Sequence, residues 1–225
     1  MTHVVCIIPA LNAASTVDKV VAGVRREVPN VFVIGVDDGS TDGTRSQLRR
    51  ACDRTIEFDV NRGKGASLRA GFAAAIEYDP IAVLTMDADG QHDPAFAPRL
   101  IDRLSVGDVV IGARQINTVT VPPHRRLANL LSSAATRAVT KCAIADSQSG
   151  YRAIKPDVLR AVSARGDRYE FETDFLVRAS HAGFTIVDVP VPTIYGPPSH
   201  FREFSDAWRV ARVLWSHRAA LFRTI

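Results

Sequence analysis

Short β-rich runs separated by helical stretches organise the first half of this chain. Residues 4–9, 31–36, 55–58, 81–86 and 109–112 gather Val, Ile, Leu and Phe between turn residues and predict strands. Between them, residues 15–27, 44–52, 65–78 and 94–104 place apolar side chains at helical spacing. Ser15 is placed to cap the first of these helices, and Pro94 opens the last at its first turn. Strand–helix alternation at this spacing predicts an α/β fold with a mainly parallel central sheet flanked by helices on both faces. The later pattern is less regular. A polar loop over 116–126 leads to a helix over 127–141, a turn-rich segment over 146–152, a helix over 171–183 and a strand over 185–191. A loop over 192–198 and a long final helix over 201–222 complete the chain, and the segments 116–126 and 193–200 are the expected covers of a site.

The polar residues cluster where these strands end. The first run ends in Pro9-Ala10-Leu11-Asn12, the second in Val36-Asp37-Asp38-Gly39-Ser40, and the run over 81–86 leads into Asp87-Ala88-Asp89-Gly90-Gln91-His92. Asn61-Arg62-Gly63-Lys64-Gly65 opens a helix. Ligands of open α/β sheets bind outside the carboxyl ends of the strands, so these four segments converge on one rim. Asp37 or Asp38 suits a base N–H or a ribose hydroxyl. Asp87 and Asp89 are hard oxygen donors suited to Mg²⁺ or Mn²⁺, which in turn neutralises a diphosphate. Gly63 and Gly65 permit close backbone approach, and the amides opening that helix favour an anion. Neither G-x-x-x-x-G-K-[ST] nor G-x-G-x-x-G occurs, which removes the main support for an ATPase or a dinucleotide oxidoreductase.

Composition narrows the setting. At 225 residues the chain is sized for one domain. Its three cysteines, Cys6, Cys52 and Cys142, have neither disulfide-framework nor zinc spacing, which points to a cytoplasmic protein. No apolar run reaches the eighteen residues of a membrane span, and residues 4–10 read as a strand rather than a signal peptide. The net charge is +4, with Arg and His crowded into the last quarter, so anionic partners are favoured. No zinc-finger or RNA-recognition signature accompanies that charge, and nucleic acid is not expected.

Taken in order, Ile-Ile-Pro-Ala-Leu-Asn, Val-Asp-Asp-Gly-Ser-Thr-Asp-Gly-Thr, Asn-Arg-Gly-Lys-Gly and Asp-Ala-Asp-Gly-Gln-His resemble family 2 glycosyltransferases of the GT-A (nucleotide-diphospho-sugar transferase) fold. The resemblance is to the dolichyl-phosphate mannose synthase and polyprenyl-phosphate glycosyltransferase branch. Gly112-Ala113-Arg114, Ser149-Gly150-Tyr151-Arg152 and Val187-Asp188-Val189-Pro190 extend it. It implies a catalytic domain over residues 1–200. There Pro9, Leu11 and Asn12 line the nucleoside pocket and Asp38 or Asp37 grips the base or ribose. It implies Asp87 at the ribose or metal, Asp89 as direct metal ligand, and Lys64, Ala88 and Gln91 near the diphosphate and sugar. Arg114 and one of Arg125 or Arg126 offset phosphate charge. The chain departs from the pattern in two places. Leu11-Asn12-Ala13 replaces the usual Tyr-Asn-Glu, and Ser199-His200 falls where Ser-Lys closes over the diphosphate, leaving His200 or Arg202 to stand in.

The implied reaction is inverting transfer of a sugar, mannose or glucose, from a GDP- or UDP-linked nucleotide sugar to polyprenyl phosphate. A lipid phosphate is already anionic at neutral pH and needs no general base, whereas a soluble hydroxyl acceptor needs one. The candidate base is a carboxylate of Phe171-Glu172-Thr173-Asp174, with Asp174 at the acidic position of the branch. A non-catalytic nucleotide-sugar-binding protein is the remaining alternative, opposed by the intact Asp38, Asp87, Asp89 and Arg114. Over 201–225, Phe201, Phe204, Trp208, Leu214, Trp215 and Phe222 fall on one helical arc, and Arg202, Arg209, Arg212 and Arg223 on another, with Arg218 breaking the segregation. Such a basic amphipathic helix suits the surface of an anionic membrane, hence peripheral attachment to the inner face of the cell membrane, or packing against the protein itself.

Overall fold

The structure, a computed structural model, describes residues 3–115, 123–168, 170–192 and 194, leaving aside the side chains of 123–129 and 131. Its first strand, β1 (Val4–Ala10), is buried along its whole length. That burial follows from alternation: Val4, Cys6, Ile8 and Ala10 pack on one face, Val5 and Ile7 on the other. Helix α1 (Val17–Glu27) covers the first face through Val17, Val20, Val21 and Val24. Strand β2 (Phe32–Asp37), helix α2 (Thr44–Ala51) and strand β3 (Arg54–Glu57) follow. Helix α3 (Lys64–Ile76) covers the second face through Ala74 and Ala75. Each fully buried Val, Ile or Leu contributes about 1.5–3 kcal/mol, so both layers are needed.

Strand β4 (Ala82–Thr85) returns to the other side of β1, followed by helix α4 (Ala97–Asp102) and strand β5 (Val109–Gln115). Helix α5 (Pro123–Thr140), strand β6 (Arg152–Ile154), helix α6 (Pro156–Ala161), helix α7 (Glu170–His181) and strand β7 (Ile186–Pro192) complete the described elements. The seven-stranded sheet has the order β3-β2-β1-β4-β6-β5-β7. Strands β2 and β4 flank β1 while the chain leaves β1 in one direction and comes back in the other. The carboxyl ends of β1 and β4 therefore form the switch-point crevice of a doubly wound sheet. Pro9 fits β1 because pairing with β4 ends at Ile7, so its missing N–H falls past the last β4 partner.

Strand β6 runs antiparallel to both neighbours and is the exception in an otherwise parallel sheet. The sequence pattern placed it in a turn-rich segment, because three residues are too few to show alternation. Helix α6, six residues opened by Pro156, also escaped the pattern. Boundaries moved as well. Helix α5 starts at Pro123, inside the expected loop, and β5 runs on to Gln115 because β7 pairs with it as far as Pro192. The helix expected over 94–104 is a short α4 between two 3₁₀ turns, with Asp93 accepting from the Ala95 amide at its start. Ser15 does not cap α1. Thr16 precedes that helix, and its hydroxyl donates to the carbonyls of Ala13 and Ala88 instead. The helix expected over 201–222, and His200 before it, lie outside the described residues.

Candidate active site

The antiparallel β6 brings the start of one strand to the end of another. Thr85 of β4 pairs with Arg152 of β6, so the two residues beyond Thr85 meet the two before Arg152. Gly150 consequently lies against Asp87, and a Cβ at position 150 would overlap the Asp87 carboxylate. The Thr85 hydroxyl fastens this crossing by donating to the Gly150 carbonyl at 2.8 Å. Arg152 is fully enclosed and donates to the carbonyls of Ser149, Ser147 and Glu172. A buried guanidinium thus ties the 147–149 loop to α7 beneath the site.

Around Asp87 the charges alternate. Lys64 Nζ, on the first residue of α3, stands 2.6 Å from Asp87 Oδ1 and 3.1 Å from Glu172 Oε1. His92, buried and tilted against the Tyr151 ring, has Nε2 3.7 Å from Asp87 Oδ2. Burial pushes the Asp87 pKa up, but Lys64 and His92 outweigh it and hold the carboxyl well below the usual range. Asp89 is shifted the other way, by burial and then by the like charge of Asp87, with the Gln91 amide at 3.0 Å offsetting part. Glu172 is 1 % exposed, and neither of its carboxylate oxygens accepts a hydrogen bond, Lys64 being in ion-pair contact outside hydrogen-bond alignment.

On the β5 side, Arg114 makes a bidentate pair with the buried Asp146, Nε to Oδ2 at 2.6 Å and a terminal nitrogen to Oδ1 at 3.1 Å. Burial alone would lower its pKa; Asp146, Asp87 and Glu172 outweigh that and hold the guanidinium firmly charged. Its planar fork is thereby fixed in place at the rim.

The nucleoside side is built differently. Asp38 accepts from the Arg62 amide at 2.7 Å and from the Gly63 amide at 2.9 and 3.1 Å. Burial raises its pKa despite those amides. Asp37 accepts from Arg45 Nε at 2.9 Å and the Ser40 amide at 3.2 Å. Asn12, in the left-handed region at φ 49°, accepts from the Thr41 amide at 2.9 Å, which locks the β1–α1 loop to the β2–α2 loop. The anion expected at the start of α3 is supplied by the protein itself. Asp38 takes the two amides before the helix, and the Asp167 carbonyl accepts from the Ala66 amide. Gly63, at φ 101°, and Gly65 likewise make room for residues 167, 168 and 171 rather than for a ligand.

With this geometry in place, similarity to known proteins becomes informative. The glycosyl transferase family 2 profile matches residues 5–163. The chain belongs to glycosyl transferase family 2. It is 32% identical to the undecaprenyl-phosphate mannosyltransferase of Micrococcus luteus, over 84% of this chain and 82% of that protein. It is 34% identical to the polyprenol monophosphomannose synthase of Mycolicibacterium smegmatis, over 82% of this chain and 75% of that one. The crystal structure of Mycobacterium tuberculosis glucosyl-3-phosphoglycerate synthase with Mn²⁺, UDP and glucosyl-3-phosphoglycerate superposes at a TM-score of 0.74. It is 23% identical, covering 96% of this chain and 80% of that one. The GT-A fold is thereby established, and the chain is a glycosyltransferase.

As a family 2 enzyme it carries a donor set that fits a divalent ion only in part. Among the described residues no three His, Cys, Asp or Glu side chains converge as a metal cage. Asp87 and Asp89 alone suit a hard ion that completes its shell from diphosphate oxygens and water. Other expected residues distribute as follows. Pro9 and Ala88 are buried at the ends of β1 and β4, Leu11 is half-buried, and the Gln91 carbonyl accepts from the Ile194 amide. Arg125 and Arg126 fall in the first turn of α5, their side chains outside the described residues. Asp174, on α7, accepts from the Arg165 amide and Arg178 Nε at 2.6 Å each. Four contributors had no role in the sequence reading: His92, Asp146, Gly150 and Arg152. The motifs containing them were visible, but only the antiparallel crossing of β4 and β6 shows what each one touches.

Proposed function

We propose that this glycosyltransferase moves a hexose, mannose or glucose, from a GDP- or UDP-linked nucleotide sugar to the phosphate of a polyprenyl phosphate, with inversion at the anomeric carbon. The observation that carries this reading is the pairing of Lys64 with Asp87, two residues before Asp89, beyond the carboxyl end of β4, with Arg114 fixed on the β5 side of the same rim. Two carboxylates, Asp87 and Asp89, would hold Mg²⁺ or Mn²⁺, and two cations, Lys64 and Arg114, would offset the charge of a diphosphate. The undecaprenyl-phosphate and polyprenol relatives support the acceptor, and the Mn²⁺-bound structural relative supports the ion.

In this reading Pro9, Leu11 and Asp38 hold the nucleoside, and Asp87 and Asp89 would hold the ion, whose charge would supply electrostatic stabilisation to a nucleoside diphosphate leaving group. Lys64 and Arg114 bind phosphate oxygens on donor or acceptor. Arg125 or Arg126, at the start of α5, adds to the acceptor side. The acceptor oxygen is already anionic, so no side chain need remove a proton. Among the described residues no helix is long and apolar enough to cross a membrane. Docking of the basic 201–225 segment on an anionic membrane brings the lipid acceptor to the rim.

A soluble hydroxyl acceptor is the second reading, favoured by the unbonded carboxylate of Glu172 beside Lys64. Labelled nucleotide sugars with Mn²⁺, incubated with and without polyprenyl phosphate, separate the two. Label in the lipid phase supports the first reading. Transfer to a soluble hydroxyl in its place supports the second.

A further inference from the structure

Glu172 is a buried carboxylate without a hydrogen bond, and such a group persists only where a cation compensates it. Three cations are near enough for its charge to favour their protonated forms or to contact them: Lys64, Arg114 and Arg152. Arg114 is committed to Asp146 and Arg152 to three carbonyls. Lys64 differs from both, because its ammonium is shared between Glu172 and Asp87.

That sharing conflicts with the role proposed above for Asp87. An ammonium 2.6 Å from Oδ1 and a divalent ion cannot both occupy the same carboxylate without strong repulsion. Lysine carries its charge on a flexible stem, and Glu172 Oε1 is already 3.1 Å away. We infer that Lys64 is a built-in counter-cation of the metal carboxylates and that Glu172 is its positioning residue. When a divalent ion takes Asp87, the ammonium passes to Glu172 and remains at the site for phosphate. Glu172 is then a docking point for Lys64 rather than a base. The inference rests on the reading of Asp87 and Asp89 as metal carboxylates.

Mn²⁺ binding tests it directly, read by electron paramagnetic resonance on the full chain without nucleotide, for the native protein, Lys64→Met, Glu172→Gln and the double variant. Removing the competing ammonium tightens Mn²⁺ binding by about tenfold in Lys64→Met. Glu172→Gln removes one of the two carboxylates that share the ammonium, strengthens its hold on Asp87 and weakens Mn²⁺ binding by about tenfold. In the Lys64→Met background the Glu172→Gln change falls to roughly twofold, because its effect runs through the lysine. Mn²⁺ affinity unmoved by Lys64→Met, or lowered equally by Glu172→Gln with and without Lys64, overturns the inference. So does loss of transfer in Glu172→Gln at unchanged Mn²⁺ affinity, which would make the residue a base. Lys64→Met carries the test by itself if Glu172→Gln does not fold. Asp89→Ala separates the two readings: Mn²⁺ binding that survives it, or a native chain that binds none, defeats the metal assignment itself, whereas normal dependence on Asp89 with indifference to Lys64 defeats only this inference.

Discussion

The two sides of the rim use carboxylates in opposite ways. On the nucleoside side, Asp37 and Asp38 are taken up by Arg45 and by the amides of Ser40, Arg62 and Gly63, so they build the loops that carry them. On the diphosphate side, Asp87 and Glu172 share one lysine, and Asp89 accepts from the Gln91 amide. Carboxylates around the rim thus divide into loop-builders, held by amides and by Arg45, and charge-carriers held mainly by other charges. A satisfied carboxylate costs stability when removed. An unsatisfied one costs function.

Substitutions can break this contrast. The largest effect on transfer is expected for Asp89→Ala, with a fall of roughly 10³-fold or more in kcat/KM and little change in the melting temperature. Equal losses of stability and activity would erase the distinction. Gly150→Ala tests the same side through geometry. Its methyl displaces the Asp87 carboxylate, and transfer should fall on the order of 10²-fold while the sheet remains folded. Steady-state kinetics beside a thermal melt checks both variants.

Asp38→Ala should do the reverse. It strands the buried amides of Arg62 and Gly63, so unfolding in denaturant should show a loss of about 3 kcal/mol, with donor binding impaired through the loosened loop. Native stability in this variant would mean that Asp38 is held for the ligand alone.

The smallest effect belongs to a carboxylate of neither kind. Asp188 on β7 accepts from the Ala145 amide through Oδ2, while Oδ1 is buried without a partner. Burial, with the charge of Asp146 adding to it, raises its pKa to about 6. The unfolded carboxyl titrates near 4, so between about pH 4 and 6 the native state holds more protons than the unfolded chain. Stability from this group therefore falls as pH rises through that window, and the full cost of the buried charge stands above it. Asp188→Asn should stabilise the protein at pH 7.5 by about 1 kcal/mol, after allowance for solvent screening, and the gain should fade on acidification through pH 6. Melting temperatures of both proteins across pH 4–8 decide it. A gain independent of pH would assign the effect to packing.

Much of this was legible in the chain and some was not, for identifiable reasons. Alternating apolar runs marked the parallel strands, because those strands are buried on both faces and long enough to show it. Asp87 and Asp89 were legible as candidate ligands from their place after such a strand. Strand β6 was hidden by its length of three residues, and with it the contact of Gly150 with Asp87. The choice between Glu172 and Asp174 was hidden for another reason. Every residue from Phe171 to Val177 is buried, so α7 presents no polar face from which its rotation could be inferred. That Asp38 also holds its own loop was hidden, because nothing local announces that it accepts from amides 24 and 25 residues away.

The most direct test of the central claim is transfer of radiolabelled sugar from GDP-mannose, UDP-glucose and related donors, with Mn²⁺ and polyprenyl phosphate, scored in the lipid phase for the native chain and Asp89→Ala. Lipid labelling from one donor, abolished by chelation and by Asp89→Ala, is the predicted result. Turnover that ignores the lipid, the chelator and Asp89 alike would contradict it.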